Sequence, residues 1–319
     1  MKILITGITG LFGSYLAREF FALGEIHGFK RENSDTALIA DMYSTIIWHE
    51  GDVADYESIE RALPDIDLVI HAAGMVSFQS ADQEKLLKVN VEGTANMVNA
   101  MLEKGIKRLI HISSVSAIGR SGDNLTINET QKWTTSPLNT AYSISKYLGE
   151  LEVWRGAQEG LEVLVVNPSV LLAKVSDKRS SSGMYQYVID GNKFYPKGYI
   201  NYIDIRDAAA LTLELFKRGM WNERFILNKE SISYQDFFAQ IASKVGKKSP
   251  KWAVSNKFLG IVSTYFKIKS LFVSTPFNKE AAQTAQLKIS FDNSKINKLI
   301  NPPYRRLEDT LNWATGNEN

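Results

Sequence analysis

Residues 6–13 read Thr-Gly-Ile-Thr-Gly-Leu-Phe-Gly, between a short apolar run and a helix-like segment over residues 11–23. Gly7 permits a tight turn, Gly10 lets the backbone approach a pyrophosphate, and Gly13 lets the helix pack close to the preceding strand. The N-terminus of such a helix offers unpaired N–H groups and a partial positive charge to an anion. The stretch predicts a phosphate-binding turn; the alternative is a glycine turn that only packs a helix on a sheet.

The glycine spacing is Gly-x-x-Gly-x-x-Gly, where the commoner dinucleotide-binding turn has Gly-x-Gly-x-x-Gly. Because a strand precedes the turn and a helix follows it, we favour the phosphate-binding interpretation. We expect the following residues of this loop to contact the cofactor: Gly7, Thr9, Gly10, Leu11, Phe12 and Gly13.

Strand-like apolar runs alternate with helix-like segments through most of the chain. The predicted strands cover residues 3–5, 25–31, 46–48, 67–71, 108–114, 161–167 and 224–228. This alternation predicts an α/β fold of the Rossmann type, a doubly wound parallel sheet with a smaller, mostly helical C-terminal substrate domain. We expect residues 1–173 and 200–230 to form the NAD(P)-binding domain, with residues 174–199 and 231–319 forming the substrate-binding domain.

The end of the second predicted strand bears on which dinucleotide binds. A carboxylate there would accept hydrogen bonds from the ribose hydroxyls of NAD, whereas a cation suits the 2′-phosphate of NADP. This chain has Lys30 and Arg31, followed by Glu32. The planar fork of Arg31 suits a phosphate, with Lys30 as a second charge. We therefore favour NADP (NADPH); NAD stays possible through Glu32.

Two further strand ends are expected to border the cofactor. Asp52 can accept a hydrogen bond from the adenine amino group, while Val53 covers the ring. After the fourth strand come Ala72, Ala73 and Gly74, whose small side chains leave room for a dinucleotide. Ligands of open α/β sheets bind at these carboxyl ends.

Composition excludes several kinds of partner. The net charge of +2 gives no field that favours nucleic acid or an anionic membrane, and the lack of cysteine excludes thiolate metal sites. We expect no metal, because no two histidines share ligand spacing, and we interpret His71 as a core residue. The apolar stretch 258–266 is too short to span a bilayer. We expect a cytoplasmic protein whose partner is a small molecule.

A tyrosine and a lysine four residues apart form the candidate catalytic pair. Tyr142 and Lys146 would share one face of a helix, where the ammonium would lower the tyrosine pKa and make a general acid/base. Ser114, at a strand end, could donate to the same substrate oxygen. Tyr265 and Lys269 match the same spacing. We interpret that second pair as a chance match, because it lies far from the nucleotide-binding pattern.

These features together resemble the extended short-chain dehydrogenases/reductases of the NAD(P)-dependent epimerase/dehydratase superfamily. The similarity extends from Lys2 to about Asn228 and includes the glycine turn, Asp52-Val53, His71 to Gly74, Asn90, Ser114, Tyr142 with Lys146, and Asn167-Pro168. It implies that Ser114, Tyr142 and Lys146 form a catalytic triad. It also implies that Asn90 is a fourth member, holding a water that relays protons to the lysine. Further cofactor contacts are implied at Asn90, Tyr142, Lys146, Asn167, Pro168 and Val170.

Departures from the sugar-nucleotide members narrow the reaction. Ser114 is followed by Val115-Ser116, where the family's dehydratases have Asp-Glu, and no arginine shortly precedes Asn201. The run from Asn201 to Asp207 instead resembles the dihydroflavonol-reductase-like branch of the family, and so does Arg31 at the end of the second predicted strand. That branch reduces ketones or aldehydes on apolar or aromatic substrates with NADPH.

Our first hypothesis is therefore an NADPH-dependent carbonyl reductase, or an alcohol dehydrogenase in reverse. A nucleotide-sugar epimerase with tightly bound NAD is the second hypothesis, and a non-catalytic cofactor-sensing module is the third. The intact Ser114, Tyr142 and Lys146 speak against a sensor, which has no need of a proton donor. A homodimer is an expectation that the family resemblance adds.

Overall fold

The computed structural model describes residues 1–120, 122, 125–177, 181–254 and 283–316. Its strands are β1 (Lys2–Thr6), β2 (Glu25–Lys30), β3 (Ile47–Glu50), β4 (Leu68–His71), β5 (Arg108–Ile112), β6 (Thr126–Ile127), β7 (Glu162–Pro168), β8 (Val170–Leu172), β9 (Phe194–Tyr195), β10 (Tyr199–Asp204), β11 (Glu223–Leu227), β12 (Glu230–Ser233), β13 (Trp252–Ala253) and β14 (Ser290–Phe291). Its α-helices are α1 (Leu11–Phe20), α2 (Tyr56–Ala62), α3 (Gln83–Leu87), α4 (Gly93–Lys104), α5 (Ala141–Gln158), α6 (Ser182–Ile189), α7 (Ile205–Lys217), α8 (Tyr234–Lys244), α9 (Ser294–Ile300) and α10 (Leu307–Thr315).

A seven-stranded parallel sheet has the order β11-β7-β5-β4-β1-β2-β3. The order reverses between β1 and β4, so their carboxyl ends form the crevice where such sheets bind ligands. In register, Thr6 of β1 pairs with Phe29 of β2 on one side and with His71 of β4 on the other. The expected Rossmann-type, doubly wound fold is confirmed.

The sheet strands are continuous apolar runs because helices cover both faces. One face carries Leu4, Val69, Leu109 and Val163, each fully buried, in a core that also includes Met97 of α4. Burying a large aliphatic side chain contributes about 1.5–3 kcal/mol, so this core fixes the sheet's register and holds α4 and α5 against it.

The chain forms two compact units. The first comprises Met1–Arg120, Glu129–Pro168 and Ile205–Leu227, and contains the whole seven-stranded sheet. The second comprises the described residues of Ser121–Asn128, Ser169–Asp204 and Asn228–Asn319. Its three-stranded sheet has the order β12-β10-β8, with β10 antiparallel to β12 and parallel to β8.

These units differ from the expected domain boundaries at β8 and β10. Both strands were expected in the nucleotide-binding domain, but they hydrogen-bond to each other and to β12 in the second unit. Short strands of this kind can pair in either sheet, so their residues alone do not assign them to a domain. The stretch 258–266 and the pair Tyr265 and Lys269 lie outside the described residues. Across the described part of the chain, no helix has the length and apolarity needed to cross a bilayer.

Candidate active site

The glycine turn after β1 is tightly constrained by its neighbours. Gly7 has a φ of +66°, and a Cβ there would lie 2.6 Å from the backbone of Ala72. A Cβ on Gly13 would lie 2.2 Å from the Gly7 carbonyl oxygen, so only glycine lets α1 begin this close to β1. Gly10 precedes α1, and no side chain of the described residues caps the helix there. The first-turn N–H groups are thus available to an anion.

The remaining loop positions frame this turn. Thr9 is half-buried, while Leu11 and Phe12 are buried in the first turn of α1. Their side chains anchor the helix, which leaves their backbone N–H groups as the expected cofactor contacts. The first turn contains no acidic residue that would repel a phosphate.

The end of β2 presents one of its two expected cations to solvent. The Lys30 side chain is only 8% exposed, because its Nζ pairs with Glu50 Oε1 at 3.4 Å and lies over the Trp48 ring. An open groove beside it is lined by Arg31, Glu32, Asn33, Glu50, Gly51 and Asp52. The expected second charge, Lys30, is thus paired with Glu50 in this structure, and Arg31 carries a positive charge in the groove opposite three carboxylates.

Asp52 and Val53 lie at the carboxyl end of β3. The Asp52 carboxylate accepts from the Ala54 N–H at 2.9 Å, which fixes the turn. The Val53 side chain is buried against Gly93 of α4, where a Cβ would lie 2.7 Å from Val53 Cγ2. Asn96 also donates to the Val53 carbonyl at 3.1 Å. The Val53 side chain thus packs against α4, and its carbonyl accepts from Asn96.

The end of β4 contains a buried polar cluster. His71 is fully buried between the hydroxyls of Thr6 and Thr94, at 2.8 and 3.1 Å. Burial and the positive charge of Lys146 lower its pKa to about 3, so the ring is neutral. The Thr6 hydroxyl also accepts from the Ala73 N–H, which ties β1 to the Ala72-Ala73-Gly74 turn. His71 thus has the structural role that we expected.

The histidines do pair in space, which spacing along the chain did not indicate. His27 Nδ1 lies 2.9 Å from His49 Nε2 across β2 and β3, and the rings of His71 and His111 stack at 5.6 Å across β4 and β5. Parallel strands bring together residues that are distant in sequence. Among the described residues, no group of three or more His, Cys, Asp or Glu side chains is arranged to hold a metal ion.

The N-terminus of α5 positions the candidate acid/base pair. Thr140 caps this helix by accepting from the Ser143 N–H at 3.1 Å, so Tyr142 falls in the first turn and Lys146 one turn later. The Tyr142 hydroxyl is hydrogen-bonded to Ser114, at the end of β5. These three side chains therefore lie together at the carboxyl edge of the sheet.

The pKa of Tyr142 departs from the expectation. Burial raises it, while the hydrogen bond to Ser114 and the charge of Arg120 oppose that rise. Lys146 was expected to lower it, but its Nζ donates to the Ile112 carbonyl at 2.8 Å. Tyr142 is thus held as a neutral phenol, a proton donor. Sequence reasoning missed Arg120, which no motif marks.

Asn90 lies in a π-helical turn, Lys88–Glu92, between α3 and α4. Such turns are rare and occur frequently at functional sites. Asn90 Oδ1 accepts from the Met75 N–H at 2.7 Å, and its Nδ2 donates to the Met75 carbonyl and to Ser145 Oγ. A Cβ on Gly74 would lie 3.4 Å from Asn90 Oδ1 and 3.7 Å from Lys146 Nζ, so both polar atoms border the loop after β4.

Residues beyond β7 are divided between the two units. Asn167 is fully buried and donates to the Ser114 carbonyl at 3.0 Å, which braces the strand end that carries the serine. Pro168 ends β7 in the first unit, whereas Val170 begins β8 in the second.

Two aromatic side chains of the first unit pack on tyrosines of α5, one of them the candidate acid/base. Phe78 packs edge-on against Tyr142 at 5.8 Å, and Trp133 stacks on Tyr147 at 4.2 Å. Trp133 also covers Gly119, whose φ is +86°. None of these rings stood out in the sequence, because aromatic residues in loops have no periodicity.

The chain belongs to the NAD dependent epimerase/dehydratase family, whose model matches residues 3–212. It is 27% identical over 264 residues to sterol demethylase protein B of Methylococcus capsulatus, covering 81% of this chain and 79% of the relative. It is 30% identical over 254 residues to a protein of Synechocystis sp. provisionally named dihydroflavonol 4-reductase, covering 77% and 73%. The crystal structure of gox2253 matches with a TM-score of 0.83 and 27% identity, over 98% of this chain and 96% of that one.

The expected membership of the extended short-chain dehydrogenases/reductases is thereby confirmed, and the protein is an NAD(P)-dependent enzyme. The structure fits such a cofactor on two counts. The uncapped N-terminus of α1 faces the crevice between β1 and β4, and Gly74 leaves space beside Lys146 that a side chain would fill.

Proposed function

We propose that this enzyme reduces a ketone or aldehyde on an apolar substrate with NADPH, or oxidises the corresponding alcohol in reverse. The observation that carries the proposal is the Tyr142 hydroxyl, hydrogen-bonded to Ser114 and one helical turn from Lys146. When bound, the cofactor supplies the hydride. The chain's own residues have to hold the carbonyl, deliver a proton to its oxygen and exclude water.

Tyr142 is suited to the role of general acid in the reductive direction. Its pKa is raised by burial, so it holds its proton until charge develops on a substrate oxygen. Ser114 shares that position and donates a second hydrogen bond to the same oxygen. Lys146 would hold a ribose hydroxyl. Both N–H groups of the Asn90 amide are donated to Met75 and Ser145, so the second lone pair of its Oδ1 would hold the water that returns a proton to the lysine.

The surroundings of Tyr142 favour an apolar ring over a sugar nucleotide. Phe78 packs against Tyr142, and Val76 in the same loop is 66% exposed. The names of two relatives, a sterol demethylase protein and a provisional dihydroflavonol reductase, both refer to fused or linked ring compounds. A ketone or alcohol on such a ring system is the substrate class that we propose.

Preference for NADPH rests on Arg31. Its guanidinium lines the groove at the end of β2, where Glu32, Glu50 and Asp52 would repel a phosphate. A planar guanidinium can bind a phosphate through two parallel hydrogen bonds. Because three carboxylates outnumber this one cation, a 2′-phosphate would bind there only through direct contact with Arg31, and the choice between NADPH and NADH depends on that contact.

The test begins by identifying any dinucleotide retained through purification and then titrating NADPH and NADH by their fluorescence. Tighter NADPH binding with nothing retained, followed by its oxidation with a panel of ring ketones, supports the reductase. Tightly retained NAD without net turnover would refute it and favour epimerisation. Binding without chemistry, unchanged in Tyr142→Phe, would indicate a cofactor sensor.

A further inference from the structure

Glu150 is a buried carboxylate on α5 that the proposed chemistry does not use. It is 2% exposed, and four side chains donate to it. Oε2 accepts from Ser113 Oγ at 2.7 Å and from Asn167 Nδ2 at 2.8 Å, while Oε1 accepts from Arg224 Nη1 at 3.1 Å and Trp154 Nε1 at 3.2 Å. Four donors from several elements compensate for the cost of burying the charge.

These contacts place Glu150 beneath the candidate active site. Asn167 donates both to Glu150 and to the carbonyl of Ser114, so one amide links the carboxylate to the serine. Lys146 precedes Glu150 by one turn of α5, is 6% exposed, and donates to the Ile112 carbonyl. The carboxylate thus connects the ends of β5 and β7 to the helix that carries the lysine.

The charge of Glu150 acts on Lys146. Burial lowers the pKa of Lys146 to about 8, and the negative charge of Glu150 opposes that fall. The other groups facing this region are Arg224 from β11 and the neutral rings of His71 and His111 from β4 and β5. Among these groups, only Glu150 contributes a negative charge, so it alone favours the ammonium form.

We propose that Glu150 is a positioning residue that keeps Lys146 charged and aligns it with the Ser114 strand end. The inference rests on the proposed function, because a charged Lys146 matters to the enzyme only if the lysine holds a ribose hydroxyl. The contacts of Glu150 that support the inference are all within the protein and involve no ligand. It can therefore be tested without substrate or dinucleotide.

The experiment follows the titration of Lys146 in protein labelled with ¹³C at lysine Cε. The Lys146 resonance is assigned by its loss in Lys146→Arg, and its midpoint pH is compared between the wild type and Glu150→Gln. Because a neighbouring charge moves a pKa by about 1–3 units, we expect the midpoint to fall by about one pH unit. Glu152→Gln, which removes a half-buried charge that pairs with Arg155 on the same helix, is the matched control and should leave the midpoint unchanged.

Further variants separate charge from packing. Glu150→Asp keeps the charge and should keep the midpoint within a few tenths of a pH unit. General loosening would hydrate Lys146 and raise its midpoint, so the fall expected in Glu150→Gln has a sign that loosening would not produce. Should Glu150→Gln alone not fold, the double variant Glu150→Gln/Arg224→Gln, which removes both charges of the buried pair, is compared with Arg224→Gln, and the midpoint should again be lower without the carboxylate.

Equal midpoints in the wild type and Glu150→Gln, or in Arg224→Gln and the double variant, would overturn the inference. The result is independent of the proposed function. A shift in Glu150→Gln combined with no dinucleotide-dependent activity would refute the reductase and leave the Glu150 contact established. Activity on a ring ketone without any shift of the Lys146 midpoint would support the reductase and refute the role of Glu150.

Discussion

Replacing Gly149 with alanine tests how closely α5 must approach the π-helical turn. A Cβ at residue 149 would lie 2.2 Å from the Asn90 carbonyl oxygen, so the backbones must separate by about 1 Å. That carbonyl cannot simply rotate away, because it accepts from Thr94 Oγ1 at 2.8 Å and the Asn90 side chain is held by Met75 and Ser145.

The magnitude follows from two opposing effects. Overpacking of a rigid contact costs about 1–3 kcal/mol, and we take the upper end because the oxygen is a fixed backbone atom. Alanine regains about 1 kcal/mol of helix propensity over glycine. The net loss of unfolding free energy is about 2 kcal/mol, which for a chain of 319 residues corresponds to a Tm lowered by about 3 °C.

The larger effect is expected on catalysis, since displacing a catalytic helix by about 1 Å can cost about 100-fold in rate. Calorimetry measures the Tm, and NADPH turnover with the identified ketone measures the rate. Gly156→Ala is the control, because its Cβ would meet side-chain atoms of Val98 and Leu161 and not the backbone of Asn90. If Gly149→Ala matched Gly156→Ala in both Tm and rate, close approach of α5 to Asn90 would be irrelevant to the site.

Three further predictions concern the cofactor, the helix cap and pH. Arg31→Asp should raise the KM for NADPH at least about 10-fold and spare NADH, because two charge-assisted hydrogen bonds are lost; unchanged selectivity would refute the phosphate contact. Thr140→Ala should lower the unfolding free energy by about 1 kcal/mol in urea titrations, through loss of the cap on α5, and no change would show that the cap contributes nothing. The lowered pKa of His71 means that the unfolded chain binds the extra proton, so its contribution is complete above about pH 6.5 and is lost as the pH falls towards 3. His71→Phe should flatten this pH dependence in urea titrations, by up to about 1.4 kcal/mol per pH unit, and an unchanged slope would contradict it.

Local sequence signals predicted the sheet domain well because each element carries its own evidence. The glycine turn, the apolar runs and the tyrosine-lysine spacing are short-range patterns, and strands β1 to β5, β7 and β11 were each expected within a few residues of their bounds. β8 and β10 were misplaced because their partners in the sheet depend on the rest of the second unit. The sequence of a strand indicates that it will pair in a sheet, but it seldom indicates which strand will be its partner.

In the candidate site, too, the sequence predicted which residues take part but not the surroundings that set their pKa values. Tyr142, Ser114 and Lys146 were identified as residues, yet the direction of the Tyr142 pKa was wrong. The spacing of Tyr142 and Lys146 places both on one helix face, but it does not determine where the lysine's ammonium finds its acceptor. In the folded chain that acceptor is the Ile112 carbonyl. Long-range contacts of this kind are decided by packing.

Burial strengthens the electrostatic interaction between the two charged residues of α5 at the site. Lys146 and Glu150 occupy successive turns of one helix, an arrangement that contributes only about 0.3–0.5 kcal/mol on an exposed surface. Here both are nearly inaccessible to water, and the dielectric response that would screen them is reduced. The same burial that lowers the pKa of Lys146 therefore strengthens the influence of Glu150 on it. A site that depends on a charged lysine at the edge of an apolar sheet needs such a counter-charge within the fold.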